Sequence, residues 1–243
     1  MRLTRVYVEE ELQSGARILV TGTAANHVMR VLRLRAGDEV TLFNGRGGEF
    51  AARLEEFRRD AVHAVVGEGR PGDRESPLPL TLAQGVSRGE RMDWILQKST
   101  ELGASRIAPV LTERSVVRLD ARQAERKRQH WRGIAIAACE QSGRNRLPDV
   151  ADPVGFHDFI AGCSADSTRL LLSPLAGRDL DDLEVRASGV TVLIGPEGGL
   201  TDLEQETALH AGFTAVRMGP RILRTETAAI AALTILQQKF GDL

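Results

Sequence analysis

Two short stretches place glycines and ionisable side chains in patterns that could do chemistry. In Val190–Glu204 an apolar run leads into Gly195-Pro196-Glu197-Gly198-Gly199, and Thr201 and Glu204 follow with the spacing of a helix capping box. Glycines between a buried strand and a helix start let the backbone approach a ligand closely. Glu197 among them adds a carboxylate that a plain turn does not need. In Val216–Ala232 a second strand ends at Gly219, and Arg221-Ile222-Leu223-Arg224 leads to a helix read as capped by Thr225. Glu226 in its first turn suits the positive end of the helix dipole. Apolar Ile222 and Leu223 between two arginines fit the wall of a pocket that also binds charge. In open α/β sheets ligands sit beyond the carboxyl ends of strands, where both stretches fall.

Other chemistries lack their residues. No phosphate-binding G-x-x-x-x-G-K-[ST] loop or G-x-S-x-G elbow occurs. Gly45-Arg46-Gly47-Gly48 lies between two strands, so it is a hairpin rather than a dinucleotide fingerprint. The histidines at 27, 63, 130, 157 and 210 form no metal spacing, so no metal is expected. Cys139 and Cys163 match neither a metal site nor a disulfide framework and read as thiols of a reducing cytoplasm.

The elements that must position these stretches fall into two regions. Alternating runs at Leu3–Val8, Arg17–Val20, Glu39–Phe43, Glu49–Leu54 and Ala61–Val66 predict a small β-rich domain over 1–70. Asn44-Gly45 marks a tight hairpin turn there. A helix over Ala24–Leu34 presents Arg30 and Arg33 one turn apart. Residues 71–79 hold three prolines and one glycine and read as a linker. From 80 to 243 strands alternate with helices. Strands are expected at Leu80–Gln84, Ile107–Leu111, Arg169–Leu172, Val190–Ile194 and Ala215–Met218. Helices are expected at Arg91–Leu102, Asp120–Gln141, Asp202–Ala211 and Glu226–Phe240. Such alternation predicts an α/β domain with a largely parallel sheet covered by helices.

Composition sets limits on the partner. The net charge is −1, yet 86–146 holds 13 Lys/Arg against 7 Asp/Glu, and 147–243 holds 7 against 14. The asymmetry fits a basic face for nucleic acid in the middle of the chain, and a solvated helix over Arg122–Arg132 explains it comparably well. With no signal-like start and no apolar run near the ~20 residues a bilayer requires, a soluble cytoplasmic protein is expected.

Across almost its whole length the sequence resembles the RsmE family of 16S ribosomal RNA uridine-N3 methyltransferases, of the SPOUT class. The resemblance runs through His27-Val28-Met29-Arg30-Val31-Leu32-Arg33, Gln97–Gly103, Pro109 with Thr112–Ser115, and Ala138–Arg144. It ends in Ile194–Gly199 and Ile222–Ala228. Those last two motifs are specific in combination. The departures are mild, such as Leu200 where an aromatic is frequent.

The resemblance implies a PUA-like β-barrel that helps bind RNA and a C-terminal domain with a deep trefoil knot, a rare exception to unthreaded topology. It also implies a homodimer and S-adenosylmethionine held bent in the strand-end loops. The cofactor contacts would come from Leu172, Ser173, Pro174, Ile194, Gly195, Pro196, Glu197, Gly198, Gly199, Met218, Gly219, Ile222, Leu223 and Thr227. Arg224 is the first candidate to stabilise the uracil anion and Arg144, from the other subunit, the second. Glu197 or Glu226 would take the N3 proton, and each has a structural alternative. Phosphates would be held by Arg30, Arg33, Arg88, Lys98, Arg114 and Arg144, with recognition of 16S ribosomal RNA in an assembled small subunit. Two rivals remain: ribose 2′-O methylation on the same pocket, and a non-catalytic ribosome-assembly factor. The intact glycine loop and Arg-Thr-Glu-Thr segment count against the second.

Overall fold

The structure is a computed structural model and describes residues 4–72, 74–115, 119–180, 183–186 and 188–243. The chain forms two compact units, one of 1–75 with 136–147, the other of 76–135 with 148–243.

In the first unit, β1 (Thr4–Tyr7), β2 (Arg17–Thr21), β3 (Glu39–Phe43), β4 (Glu49–Phe57) and β5 (Ala61–Arg70) form one sheet in the order β1-β3-β4-β5-β2. β1 runs parallel to β3 and the other pairs are antiparallel. Alternate residues such as Val40 and Leu42, or Val62, Ala64 and Val66, point into one aliphatic core. The expected start of the first strand at Leu3 lies outside the described residues. Three local readings need correction. The β3–β4 connection is the five-residue loop 44–48, not a two-residue turn, with Gly45, Gly47 and Gly48 all at positive φ. The helix expected over Ala24–Leu34 is a short α1 (Gly22–Asn26) that widens into a π-helical turn over His27–Val31. Arg33 therefore lies beyond it at φ +53°, rather than one helical turn from Arg30.

The segment 136–147 completes this unit from within. Arg5 donates to Glu49, to Asn145 and to the Arg144 carbonyl. Arg144 binds Glu75, and the Tyr7 N–H donates to Glu140.

The second unit is built on a parallel sheet: β6 (Leu80–Gly85), β7 (Arg106–Leu111), β8 (Asp149–Val150), β9 (Val154–Gly155), β10 (Thr168–Leu172), β11 (Val190–Ile194) and β12 (Thr214–Val216). The order is β12-β10-β11-β6-β7-β8, with β9 also on β7. Both faces are covered, which explains the continuously apolar strands. Leu80, Leu82, Leu170, Val190 and Val192 pack with Ile95 of α2 (Glu90–Glu101) and with Ala229, Leu233 and Leu236 of α6 (Thr225–Phe240). The intervening Ala83, Leu171 and Leu193 pack on the opposite face, against Phe156 and Ile160 of α4 (Phe156–Gly162) and Ala208 of α5 (Asp202–His210). Each such aliphatic side chain contributes ~1.5–3 kcal/mol by leaving water. The long helix α3 spans Ala121–Ser142. The expected strand through Met218 stops at Val216: the Arg217 backbone bridges the 178–180 segment instead of β10, with its N–H donating to the Arg178 carbonyl at 2.9 Å. The sequence pattern did not reveal β8, β9 or α4.

Candidate functional site

The loops that leave β10, β11 and β12 converge beyond the carboxyl ends of those strands. They enclose a cleft of about 550 Å³, within the usual range of small-molecule sites. Leu172, Ser173 and Pro174 line it from the first loop. Ile194, Gly195, Pro196, Glu197, Gly198 and Gly199 line it from the second, and Met218, Gly219, Ile222 and Leu223 from the third. Arg224 and Glu226 join them. Thr227, expected among the contacts, is exposed and lies between the lining residues Glu226 and Ala228 without lining the cleft itself.

The glycine loop is held by close packing rather than by flexibility alone. A Cβ on Gly85, at the end of β6, would overlap the backbone nitrogen of Pro196. One on Gly195 would sit 2.9 Å from the Gly199 carbonyl carbon and the Leu200 nitrogen. Gly199 and Gly219 adopt φ +70° and +64°, which only glycine takes without strain. The expected capping box is present: Thr201 Oγ1 accepts from the Glu204 N–H at 3.2 Å, and Glu204 Oε2 accepts from the Thr201 N–H at 2.8 Å. It ends the loop and starts α5.

Thr225 does something other than cap α6. The N-cap is Arg224, without a side-chain hydrogen bond. The Thr225 hydroxyl, in a residue 7% exposed, donates to the Gly195 carbonyl at 2.7 Å and accepts from Gln84 Nε2 at 2.9 Å. Gln84, wholly buried, also reaches the Gly195 carbonyl at 3.3 Å. These two side chains fasten the start of α6 to the glycine loop. Gln84 escaped sequence reasoning, although one amide at the end of the apolar Leu80–Gly85 run was the available signal. Gln205, which accepts from Ser173 Oγ at 3.2 Å in the wall of the cleft, carried no such signal.

The ionisable groups divide sharply. Glu197 Oε1 takes the Arg91 guanidinium at 2.9 Å and the Arg88 N–H at 3.0 Å. Burial raises the Glu197 pKa, but those donors and its own backbone N–H outweigh it and hold the carboxyl below the ordinary carboxylate range. Glu226 Oε2 is buried without a hydrogen-bond partner. The Arg224 guanidinium, exposed on the cleft, forms no hydrogen bond or ion pair among the described residues.

Of the cations expected to hold phosphate, Arg30, Arg33 and Arg88 are exposed. Lys98 is half-buried and pairs with Glu101 at 2.9 Å. Arg114 donates to the Gly198 carbonyl at 3.1 Å, so it braces the glycine loop. Arg144 is 3% exposed and bound to Glu75 within the first unit, so its guanidinium is committed there. Among the described residues no cluster of ligands could hold a metal ion, and no helix is long and apolar enough to cross a membrane.

Comparison with known proteins agrees with this geometry. The RNA methyltransferase domain family matches residues 74–237, and the RNA methyltransferase PUA domain family matches 20–67. The ribosomal RNA small subunit methyltransferase E of Buchnera aphidicola is 34% identical over 100% of this chain and 98% of its own length. That of Bacillus subtilis is 31% identical over 96% of each. Among solved structures, the Neisseria gonorrhoeae enzyme of that name, bound to S-adenosyl methionine, superposes with a TM-score of 0.92 at 38% identity over 100% of both chains. A Legionella pneumophila protein in complex with the bound cofactor SAM reaches 0.96 at 40% identity over 100% of both. With its three strand-end loops closed around one cleft and full-length relatives of a single kind, the chain belongs to the ribosomal RNA small subunit methyltransferase E family.

Proposed function

We propose that the protein methylates N3 of a uridine in the RNA of the small ribosomal subunit, with S-adenosylmethionine as methyl donor. The observation that carries this is the single cleft made by Gly195–Gly199 and Gly219–Arg224. Its fit to the cofactor rests on the residues present. Gly198 and Gly199 line the cleft without side chains, with open space where a Cβ of Gly199 would stand, while Leu172, Ile194, Met218 and Leu223 supply an apolar wall. When bound, the cofactor supplies an electrophilic methyl group on sulfonium sulfur.

The chain's own residues do the rest. The cleft aligns two reactants, which replaces a bimolecular encounter with a positioned one. Arg224, uncommitted among the described residues, stabilises the negative charge on the uracil carbonyl oxygens as N3 loses its proton. Glu226 is the better acceptor for that proton, because one of its carboxylate oxygens is buried and unpaired, whereas Glu197 is held ionised by Arg91 and Arg88. The target base must leave any duplex for N3 to be reached.

Further parts of the proposal concern the whole protein. Residues 1–70 are a PUA-like barrel that helps hold RNA, 71–79 the linker, and 80–243 a SPOUT methyltransferase domain with a trefoil knot. The protein acts in the cytoplasm as a homodimer on an assembled small subunit. Leu175 and Ile222, 92% and 84% exposed at the cleft, support the dimer, since a second copy would cover apolar surface beside the cofactor.

The test is to incubate the protein with unmodified small subunits and labelled S-adenosylmethionine, then map the methylated nucleoside by mass analysis of a nuclease digest. N3-methyluridine is the expected product. Methyl on ribose would replace this reading with 2′-O chemistry, and absence of cofactor binding in calorimetry would leave a non-catalytic RNA binder.

A further inference from the structure

The chain has two tryptophans. Trp131 on α3 is 1% exposed, whereas Trp94 on α2 is 53% exposed. An indole is among the largest apolar groups a core can take up, and α2 buries Met92, Ile95, Leu96, Ser99 and Thr100 instead. The spacing of Arg91, Trp94 and Lys98 puts all three on one stripe of the helix. The Arg91 end of that stripe borders the cleft through Glu197, and the Lys98 ammonium lies 5.9 Å from the Trp94 ring centroid. Asp93 Oδ2 lies 3.0 Å from His130 Nε2, which brings α3 beside α2. Arg126 and Lys127 precede His130 by one turn. An exposed indole thus shares its stripe of α2 with Arg91 and Lys98, and Arg126 and Lys127 lie on the neighbouring α3.

We propose that Trp94 is a stacking platform for a base of single-stranded RNA next to the nucleotide held in the cleft, with neighbouring phosphates taken by these cations. The inference rests on RNA as the substrate. Aromatic faces interleaved with cations suit unpaired nucleic acid, since every base has a π-face and every link a charge. The centre of an interface between two copies of the chain would instead be depleted of charge. The carboxylates nearby are no obstacle: ion pairs open to solvent are weak, and a phosphate can replace the partner.

The test uses the full-length protein and a short single-stranded oligouridylate. Emission from the exposed indole should be quenched as RNA is added, with affinity that falls as salt rises. Trp94→Phe should lose the quenching yet bind RNA nearly as well as the native chain, because a ring remains. Trp94→Ala should bind about tenfold more weakly, the scale of one lost base–aromatic stack. In methyl transfer the Trp94→Ala loss should appear in KM for RNA. Calorimetry with S-adenosylmethionine reports whether each variant is folded. Native emission indifferent to RNA, or equal RNA affinity of Trp94→Ala and the native chain, would overturn the platform. So would emission that shifts with protein concentration alone, which would assign the face to a second copy. A failed platform with intact methyl transfer sinks only this inference, whereas quenching without cofactor binding or methyl transfer would sink the catalytic reading instead.

Discussion

Arg224 occupies a position that few arginines hold: it is on the cleft, without a partner among the described residues, and its backbone is fixed by the locked Thr225 that follows. Arg224→Ala should lower turnover about 10²–10³-fold, the usual loss on removal of one preorganised donor. Cofactor affinity by calorimetry should stay within about threefold, and normal turnover would refute the role. The two carboxylates can be separated in the same assay. Glu226→Gln should lower kcat about 10²-fold or more, as expected when a general base is removed. Glu197→Gln should cost less than about tenfold. The sign for Glu197 follows from its depressed folded value: its contribution to stability is present above the ordinary carboxylate pKa of about 4.3 and is lost as pH falls through the lower folded one. At neutral pH it is therefore ionised and committed to Arg91. If the Gln variants exchange these effects, so do the roles.

At the scale of elements, glycine positions give opposite forecasts. Gly85→Ala forces a methyl group into the Pro196 backbone, so cofactor affinity should fall and the thermal midpoint drop by several degrees. Gly133, exposed on α3 with nothing within 4 Å of an added Cβ, should gain ~0.5–1 kcal/mol as Ala. Thr225→Val keeps the shape but removes the hydroxyl between Gln84 and Gly195, at ~1–3 kcal/mol for buried groups left unpaired. Both midpoint and cofactor affinity should fall. A midpoint unchanged in Thr225→Val would mean that the two loops do not depend on that bridge. These contrasts also mark what the sequence discloses. The parallel strands were legible because both faces are buried, which leaves uninterrupted apolar runs such as Val190–Ile194. The loops of the cleft were legible because close backbone approach demands glycine. Thr225 was misread as a cap, since its true partners, Gly195 and Gln84, lie 30 and 141 residues away. The π-helical turn over His27–Val31 was hidden for a related reason: its local pattern is that of an ordinary helix.

At the scale of the whole molecule, the first unit cannot be cut out of the chain at the linker. Residues 136–147 contribute Asn145 to Arg5, Glu140 to Tyr7, and Cys139 with Ile136 and Leu147 to the apolar cluster around Phe43. Burial pushes the Cys139 thiol up to about 11, so it serves as packing rather than as a nucleophile. A fragment of residues 1–75 would keep Arg5 and lose two of its acceptors. Arg5 keeps Glu49, but two hydrogen bonds of a buried charged group are lost, at about 1.5–3 kcal/mol each. The whole stability of a domain of that size is ~4–11 kcal/mol. The fragment should therefore lack a cooperative thermal transition by circular dichroism. In the intact chain, Glu75→Ala should destabilise by about 1–3 kcal/mol, because it removes a carboxylate that the buried Arg144 guanidinium binds. A sharp, reversible melt of the 1–75 fragment would show that this unit is complete without the helix end. The Arg5–Asn145 and Tyr7–Glu140 bonds would then be incidental to its stability.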